Sequence, residues 1–346
     1  METELIKVQS PDDAALQRAA GCIKSGGLVG FPTETVYGLG GDGFNPDAAR
    51  RIYAAKGRPS DNPLILHICD QKMLGRVVAE VTPMAKKIMT AFCPGPVTLI
   101  LPKADAVPLS VTGGLSTVAV RMPDNDIMRR LIRLADTPIA GPSANISGRP
   151  SPTTAQAVYH DLHGRIDMIL DGGPCEFGVE STIVDCTEDV PVILRPGAVT
   201  KEMLEEIFPV VKIDGAVVGE NVVPKAPGMK YKHYAPKAPM VLFEGSGAKM
   251  ADAIRRAADE YEDDKKSVGF LVSEETAAAL QDRKNVFAYG KRNDMHRIAA
   301  EIYEGLRWFD DKDIDVILGE GTSSEGLGLA IMNRLHKASG FNSVFI

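Results

Sequence analysis

Two cations and a histidine stand close together in KGRPSDNPLILH, residues 56–67. Lys56 and Arg58 flank Gly57, and Pro59 and Pro63 stiffen the stretch that leads to His67. A fixed loop carrying a point charge and a guanidinium fork suits a polyphosphate. Cations drawn to the end of a helix by its dipole are the ordinary alternative. A second polar group lies in GPSANISGRPSP, residues 141–152, where Ser143, Asn145 and Ser151 can hydrogen-bond phosphates or a base, or cap their own turns. Arg121 in TVAVRMP and Arg195 in VILRPG end apolar runs, so each guanidinium must reach a carboxylate, a phosphate or water. GVESTIVD presents Glu180, Ser181 and Asp185: a carboxylate there could help to hold magnesium, or the loop could cap its own amides.

Other chemistries fit less well. GLGGDG, residues 38–43, satisfies G-x-G-x-x-G, but the next helix is expected to start at Pro46, away from the glycines. The acid about 20 residues on, Asp61, lies in a proline-rich loop, so the glycines read as a tight turn and not as a dinucleotide cradle. There is no G-x-x-x-x-G-K-[ST] phosphate loop. GPSAN lacks the last glycine of a nucleophile elbow. His160 and His163, three apart, have no evident third metal ligand.

The elements that must position these residues alternate between strand and helix. Strands are expected at 27–31, 64–69, 97–101, 117–122, 138–141, 181–186 and 190–195, and helices at 12–24, 46–56, 82–91, 125–135, 153–163 and 200–207. Several strands follow one another without a helix between them, so the sheet should be mixed. Residues 1–208 form the expected first domain. Residues 209–239 read as a linker, with KAPGMKYKHYAPKAP holding four lysines, two tyrosines and no acid. Residues 240–346 give four strand-and-helix pairs, the pattern of a small doubly wound, Rossmann-like α/β domain.

Bulk properties set the frame. The 346 residues are 44% hydrophobic and 25% charged, an ordinary soluble composition long enough for two domains. No run of about 18 apolar residues predicts a membrane span, and the N-terminus lacks a secretory h-region. Five scattered cysteines, never spaced C-x-x-C, fit a reducing cytoplasm. A net charge of −7 carries no global polyanion signal, so contact with phosphate or RNA must come from local cations.

Taken in order, FPTETVYGLG, KGRPSDNPL, PGPVTLIL, VAVRMPD, GPSANISG, GVESTIVD and ILRPG resemble the YrdC-like threonylcarbamoyl-AMP synthases, over roughly residues 10–200. The basic linker and the following α/β domain resemble the longer, two-domain members. The resemblance implies a twisted open mixed sheet with a concave basic face. It implies that L-threonine, bicarbonate and ATP yield threonylcarbamoyl-adenylate, pyrophosphate and water. Mg2+ is expected with the ATP, without an organic cofactor, and the product is expected to pass to a tRNA threonylcarbamoyl-transfer complex. By the same resemblance Lys56, Arg58, Ser143 and Asn145 form the catalytic nucleotide-phosphate cluster. Asn62, Thr117, Ser151 and Arg195 also face ATP. Thr35, His67, Arg121 and Ser181 surround threonine. Independently of the resemblance, the acid-free basic linker suits a cover over a triphosphate-filled cleft, with Tyr234 on the ATP and, with Lys230 or Lys232, closing the site; a solvated spacer is the alternative. No covalent intermediate and no dedicated general base are expected. An RNA-binding module using the same basic face, and a carbamoyltransferase with another acceptor, stay open as alternatives.

Overall fold

The computed structural model describes residues 2–218 and 233–346. Lys230 and Lys232 of the linker therefore lie outside the described residues. Chain contacts divide the molecule into two units: residues 1–147 with 151–230, and residues 148–150 with 231–346.

The first unit is built on β1 (Glu4–Lys7), β2 (Val29–Phe31), β3 (Gly38–Asp42), β4 (Ile65–His67), β5 (Val97–Pro102), β6 (Thr117–Arg121), β7 (Ile139–Gly141), β8 (Met168–Asp171), β9 (Thr182–Asp185), β10 (Val192–Arg195) and β11 (Lys212–Ile213). They form one sheet in the order β1-β8-β2-β3-β7-β4-β6-β5-β9-β10-β11, parallel at some junctions and antiparallel at others. The expected mixed sheet is thus present. β11 falls within the stretch whose composition suggested a linker.

Alternation along the central strands sorts two chemistries onto two faces. Leu66, Val97, Leu99, Leu101, Val118, Val120 and Val184 join the main hydrophobic core. Their neighbours Ile65, Ile100, Ala119 and Ile183, with Leu194, form a separate buried apolar cluster. His67, Thr98, Thr117 and Arg121 are two residues away from members of that cluster on β4, β5 and β6, so they share its face. The polar site therefore has an aliphatic floor.

GLGGDG proves to be strand over Gly38–Asp42, with only Gly43 in a turn. Gly38, Gly40 and Gly41 lie in β3, paired with β2 and β7, and none has a positive φ. A Cβ on Gly38 would run into the Phe31 ring, and one on Gly40 into Phe31 and Ile139. Side-chain packing across β2 and β7, not turn geometry, calls for Gly38 and Gly40.

The second unit holds β12 (Met240–Glu244), β13 (Val268–Val272), β14 (Val286–Ala288), β15 (Val316–Glu320) and β16 (Ser343–Phe345). These run in the order β14-β13-β15-β12-β16 with every pair parallel, and helices follow β12, β13, β14 and β15. This is the doubly wound pattern expected. Among the described residues no helix is long and apolar enough to cross a membrane.

The β3 packing yields a stability prediction. Gly40→Ala should lower the unfolding free energy by about 1–3 kcal/mol through overpacking against Phe31 and Ile139. A denaturant titration with an unchanged midpoint would show that the strand yields freely.

Candidate active site

Helix Pro46–Lys56 places the first cation. Asn45 caps its start, accepting from the Asp47 N–H at 2.9 Å, and Pro46 occupies the first turn. At the other end Gly57 is left-handed (φ 62°); its N–H donates to Ala54 O and that of Arg58 to Tyr53 O, a Schellman closure. The closure fixes Lys56 on the last turn and reverses the chain into the Arg58 loop. Lys56 is buried, and its Nζ donates to the carbonyl oxygens of Ser143 and Asn145. Within that second loop Ser143 Oγ donates to Asn145 Oδ1 at 2.5 Å, and the Ser147 N–H donates to Lys56 O at 2.9 Å. Lys56, Ser143 and Asn145 are therefore one assembly. Arg58 curls over its own loop, with Nε on Asn62 O (3.4 Å) and Nη2 on Pro63 O (3.2 Å).

A row of polar side chains crosses the sheet beside it. His67 on β4 stands opposite Arg121 on β6, and Arg121 opposite Thr98 on β5. Thr98 Oγ1 lies 2.7 Å from Ser181 Oγ, which accepts from Arg195 Nη2 at 3.1 Å; Arg195 Nε donates to Ser181 O at 3.1 Å. Arg195 reaches this face because the β9–β10 register shifts between Ile193 and Arg195. Simple alternation from the core residue Ile193 would turn Arg195 the other way, and a bulge re-aims it. Beside the row, Ser151 Oγ donates to Glu180 Oε1 at 2.5 Å.

Arg121 holds the centre. Its Nη1 donates to Thr35 Oγ1 at 2.9 Å, and Thr35 is set by a turn in which Thr33 Oγ1 accepts the N–H groups of Thr35 and Val36. Its Nη2 lies 2.7 Å from Glu34 Oε1, both side chains being 4% exposed. That contact is close but out of line: Arg121 Nη2 and Nε and Glu34 Oε2 are all buried without a hydrogen bond. A buried polar group left unmet costs about 1–3 kcal/mol, more if charged. Burial, with Arg121 next to it, pushes the His67 imidazole down to about 3 from 6.5, so the ring is neutral near pH 7.

Comparison with known proteins gives this geometry a family. Residues 21–197 match a family model described as "Telomere recombination", and residues 199–340 one described as "Threonylcarbamoyl-AMP synthase, C-terminal domain". The threonylcarbamoyl-AMP synthase of Bacillus subtilis is 47% identical over 332 residues, covering 96% of this chain and 94% of the relative. The chain belongs to the threonylcarbamoyl-AMP synthase family. The crystal structure of Pyrococcus abyssi Sua5 complexed with L-threonine superposes with a TM-score of 0.95 at 45% identity, covering 99% of this chain and all of the other. A variant of that protein with a histidine and a tyrosine replaced by alanine superposes at 0.94 with 44% identity, covering 99% of this chain and 98% of the other.

Against the family pattern, the structure gathers the residues singled out from sequence into connected groups. Thr35, His67, Arg121, Ser181 and Arg195 belong to the cross-sheet row. Lys56, Ser143 and Asn145 form the loop assembly, and Arg58 and Asn62 share the adjoining turn. Thr117 sits at the start of β6, on Arg121's face. Ser151 is joined to the row through Glu180, the neighbour of Ser181. Tyr234 is in the second unit, with φ 65°, packed 5.3 Å from the Tyr303 ring and beneath the Arg334 guanidinium. Sequence reasoning missed Glu34 and Thr98. The signal for Glu34 was present: a guanidinium in an apolar strand needs a carboxylate, and PTET supplies one.

His67 gives a pH prediction. Above about pH 6.5 the ring is neutral both folded and unfolded. Below that the unfolded chain gains a proton that the folded chain refuses until about pH 3, so this histidine's contribution to stability falls with acidification across that window. The limiting slope is about 1.4 kcal/mol per pH unit. His67→Gln should flatten the decline in unfolding free energy measured between pH 6.5 and pH 4.5; parallel curves for the two proteins would assign the acid sensitivity elsewhere.

Proposed function

We propose that this chain condenses L-threonine, bicarbonate and ATP into threonylcarbamoyl-adenylate, with release of pyrophosphate and water, and that the product serves tRNA threonylcarbamoyladenosine modification. The observation that carries the reading is the buried Arg121 with unmet N–H groups beside Thr35, in a fold that matches a threonine-bound relative at a TM-score of 0.95.

The chemistry asks mainly for placement. Threonine's amine must become a carbamate, whose oxygen then attacks the α-phosphate of ATP. Holding carbamate and phosphate in line removes the entropic cost of their meeting, and cations spread the charge of the transferring group. In this proposal Arg121 takes the threonine carboxylate, while Thr35, His67 and Ser181 complete the amino-acid pocket. Lys56, Arg58, Ser143 and Asn145 order the phosphates, and Asn62, Thr117, Ser151 and Arg195 extend the nucleotide side. Ser181, of the amino-acid set, accepts from Arg195 Nη2, of the nucleotide set, and this direct link supports the two substrates being adjacent. Magnesium is expected to enter on ATP as its counter-ion, held by phosphates and water.

Tyr234 is assigned to the nucleotide. Its left-handed backbone and burial against Tyr303 support a side chain held in one orientation. Tyr234→Ala should then raise the KM for ATP with little change in that for threonine, a split that steady-state kinetics resolves. Equal shifts in both would remove it from the nucleotide side.

Two assays test the reaction. Pyrophosphate release by the purified chain with MgATP should require threonine and bicarbonate together; release indifferent to both, in a chain that binds RNA, would turn the assignment toward an RNA-binding role. Lys56→Met should lower kcat/KM roughly 10²–10⁴-fold if the ammonium stabilises developing phosphate charge. A loss below about threefold would leave Lys56 as a loop tie alone.

A further inference from the structure

We propose that Glu34 binds the α-ammonium group of the amino-acid substrate, opposite the arginine that receives its carboxylate. The assignment deepens, and rests on, the reading of this pocket as a threonine site.

The unmet groups of the buried pair are of both kinds. Arg121 offers two donors, Nε and Nη2, and Glu34 offers one acceptor, Oε2. A lone carboxylate or phosphate would satisfy the donors but would leave Glu34 unmet, with a second negative charge brought against it. An α-amino acid zwitterion presents an anion and a cation a few bonds apart, and so meets donors and acceptor at once. Arg121 and Glu34 already balance in charge, and adding a zwitterion keeps the buried site neutral, as low-dielectric burial requires.

Glu34 is also fixed in place. Its carbonyl oxygen accepts from the N–H groups of Glu176 and Phe177, at 3.1 and 2.9 Å. Its Oε1 accepts from the Asp124 N–H at 3.1 Å, and Thr33 sets the turn on its other side. With Oε1 tied to Asp124 and facing Arg121, Oε2 is the oxygen that remains to take a hydrogen bond.

The test compares L-threonine with 3-hydroxybutyrate, which keeps the carboxylate and the hydroxyl but lacks the amine, by calorimetric titration of the full chain. Glu34→Gln should reduce the preference for threonine over 3-hydroxybutyrate by about 10- to 100-fold, the range for a hydrogen bond between charged groups. If both ligands weaken by the same factor, Glu34 only orients Arg121 and the proposal is overturned. It is overturned equally if neither ligand weakens. Should the variant fail to fold, the unsubstituted chain still decides. It must bind threonine at least about tenfold more tightly than 3-hydroxybutyrate, and equal affinities reject an amine-binding group. A chain that shows the preference but releases no pyrophosphate with ATP and bicarbonate would fail the synthase reading and leave the amine assignment standing.

Discussion

A guanidinium carried into the interior of a β-sheet is tolerable only if its N–H groups are met, and Arg121 is met along part of its edge. Thr35 accepts from one nitrogen, and Glu34 sits against another at 2.7 Å without completing a hydrogen bond. Removing either partner of such a pair is costly because the other charge stays buried. The pair therefore constrains its surroundings: the Thr33 turn, the Asp124 N–H and the strands on either side of β6 all hold Arg121 and Glu34 in place.

The sheet turns that constraint into a site. On its other face the same strands contribute Leu66, Leu99, Leu101, Val118 and Val120 to the main core, so the polar row rests on a well-packed layer. On its own face the row lies beside Ile65, Ile100, Ala119, Ile183 and Leu194. An aliphatic floor with a line of hydroxyls, a neutral imidazole and two guanidinium groups suits a small zwitterion next to a nucleotide. The β10 bulge matters for the same reason, since it brings Arg195 onto the hydroxyl of Ser181 and extends the row by one cation.

What could be read in the sequence follows from how locally each feature is encoded. Helix Pro46–Lys56 was legible to the residue because its stop and start signals, Asn45, Pro46 and Gly57, are local. Arg121 stood out as a charge in an apolar strand. β3 was hidden because its glycines imitate a turn, and the reason they are glycines lies on β2 and β7. Glu34 was signalled only as the unidentified carboxylate that a buried guanidinium needs, its partner lying 87 residues away, and Thr98 was hidden because a threonine inside an apolar strand has an ordinary β-propensity explanation. The aim of Arg195 depends on a register shift between two strands, which no pattern within VILRPG encodes.

The most direct test of the central claim is a crystal structure of the chain with L-threonine bound. The threonine carboxylate should lie at hydrogen-bonding distance, about 3 Å, from Arg121 Nε or Nη2, with its ammonium on Glu34 Oε2. Threonine seated away from the β4–β6 row, with those three atoms still unmet, would contradict the account.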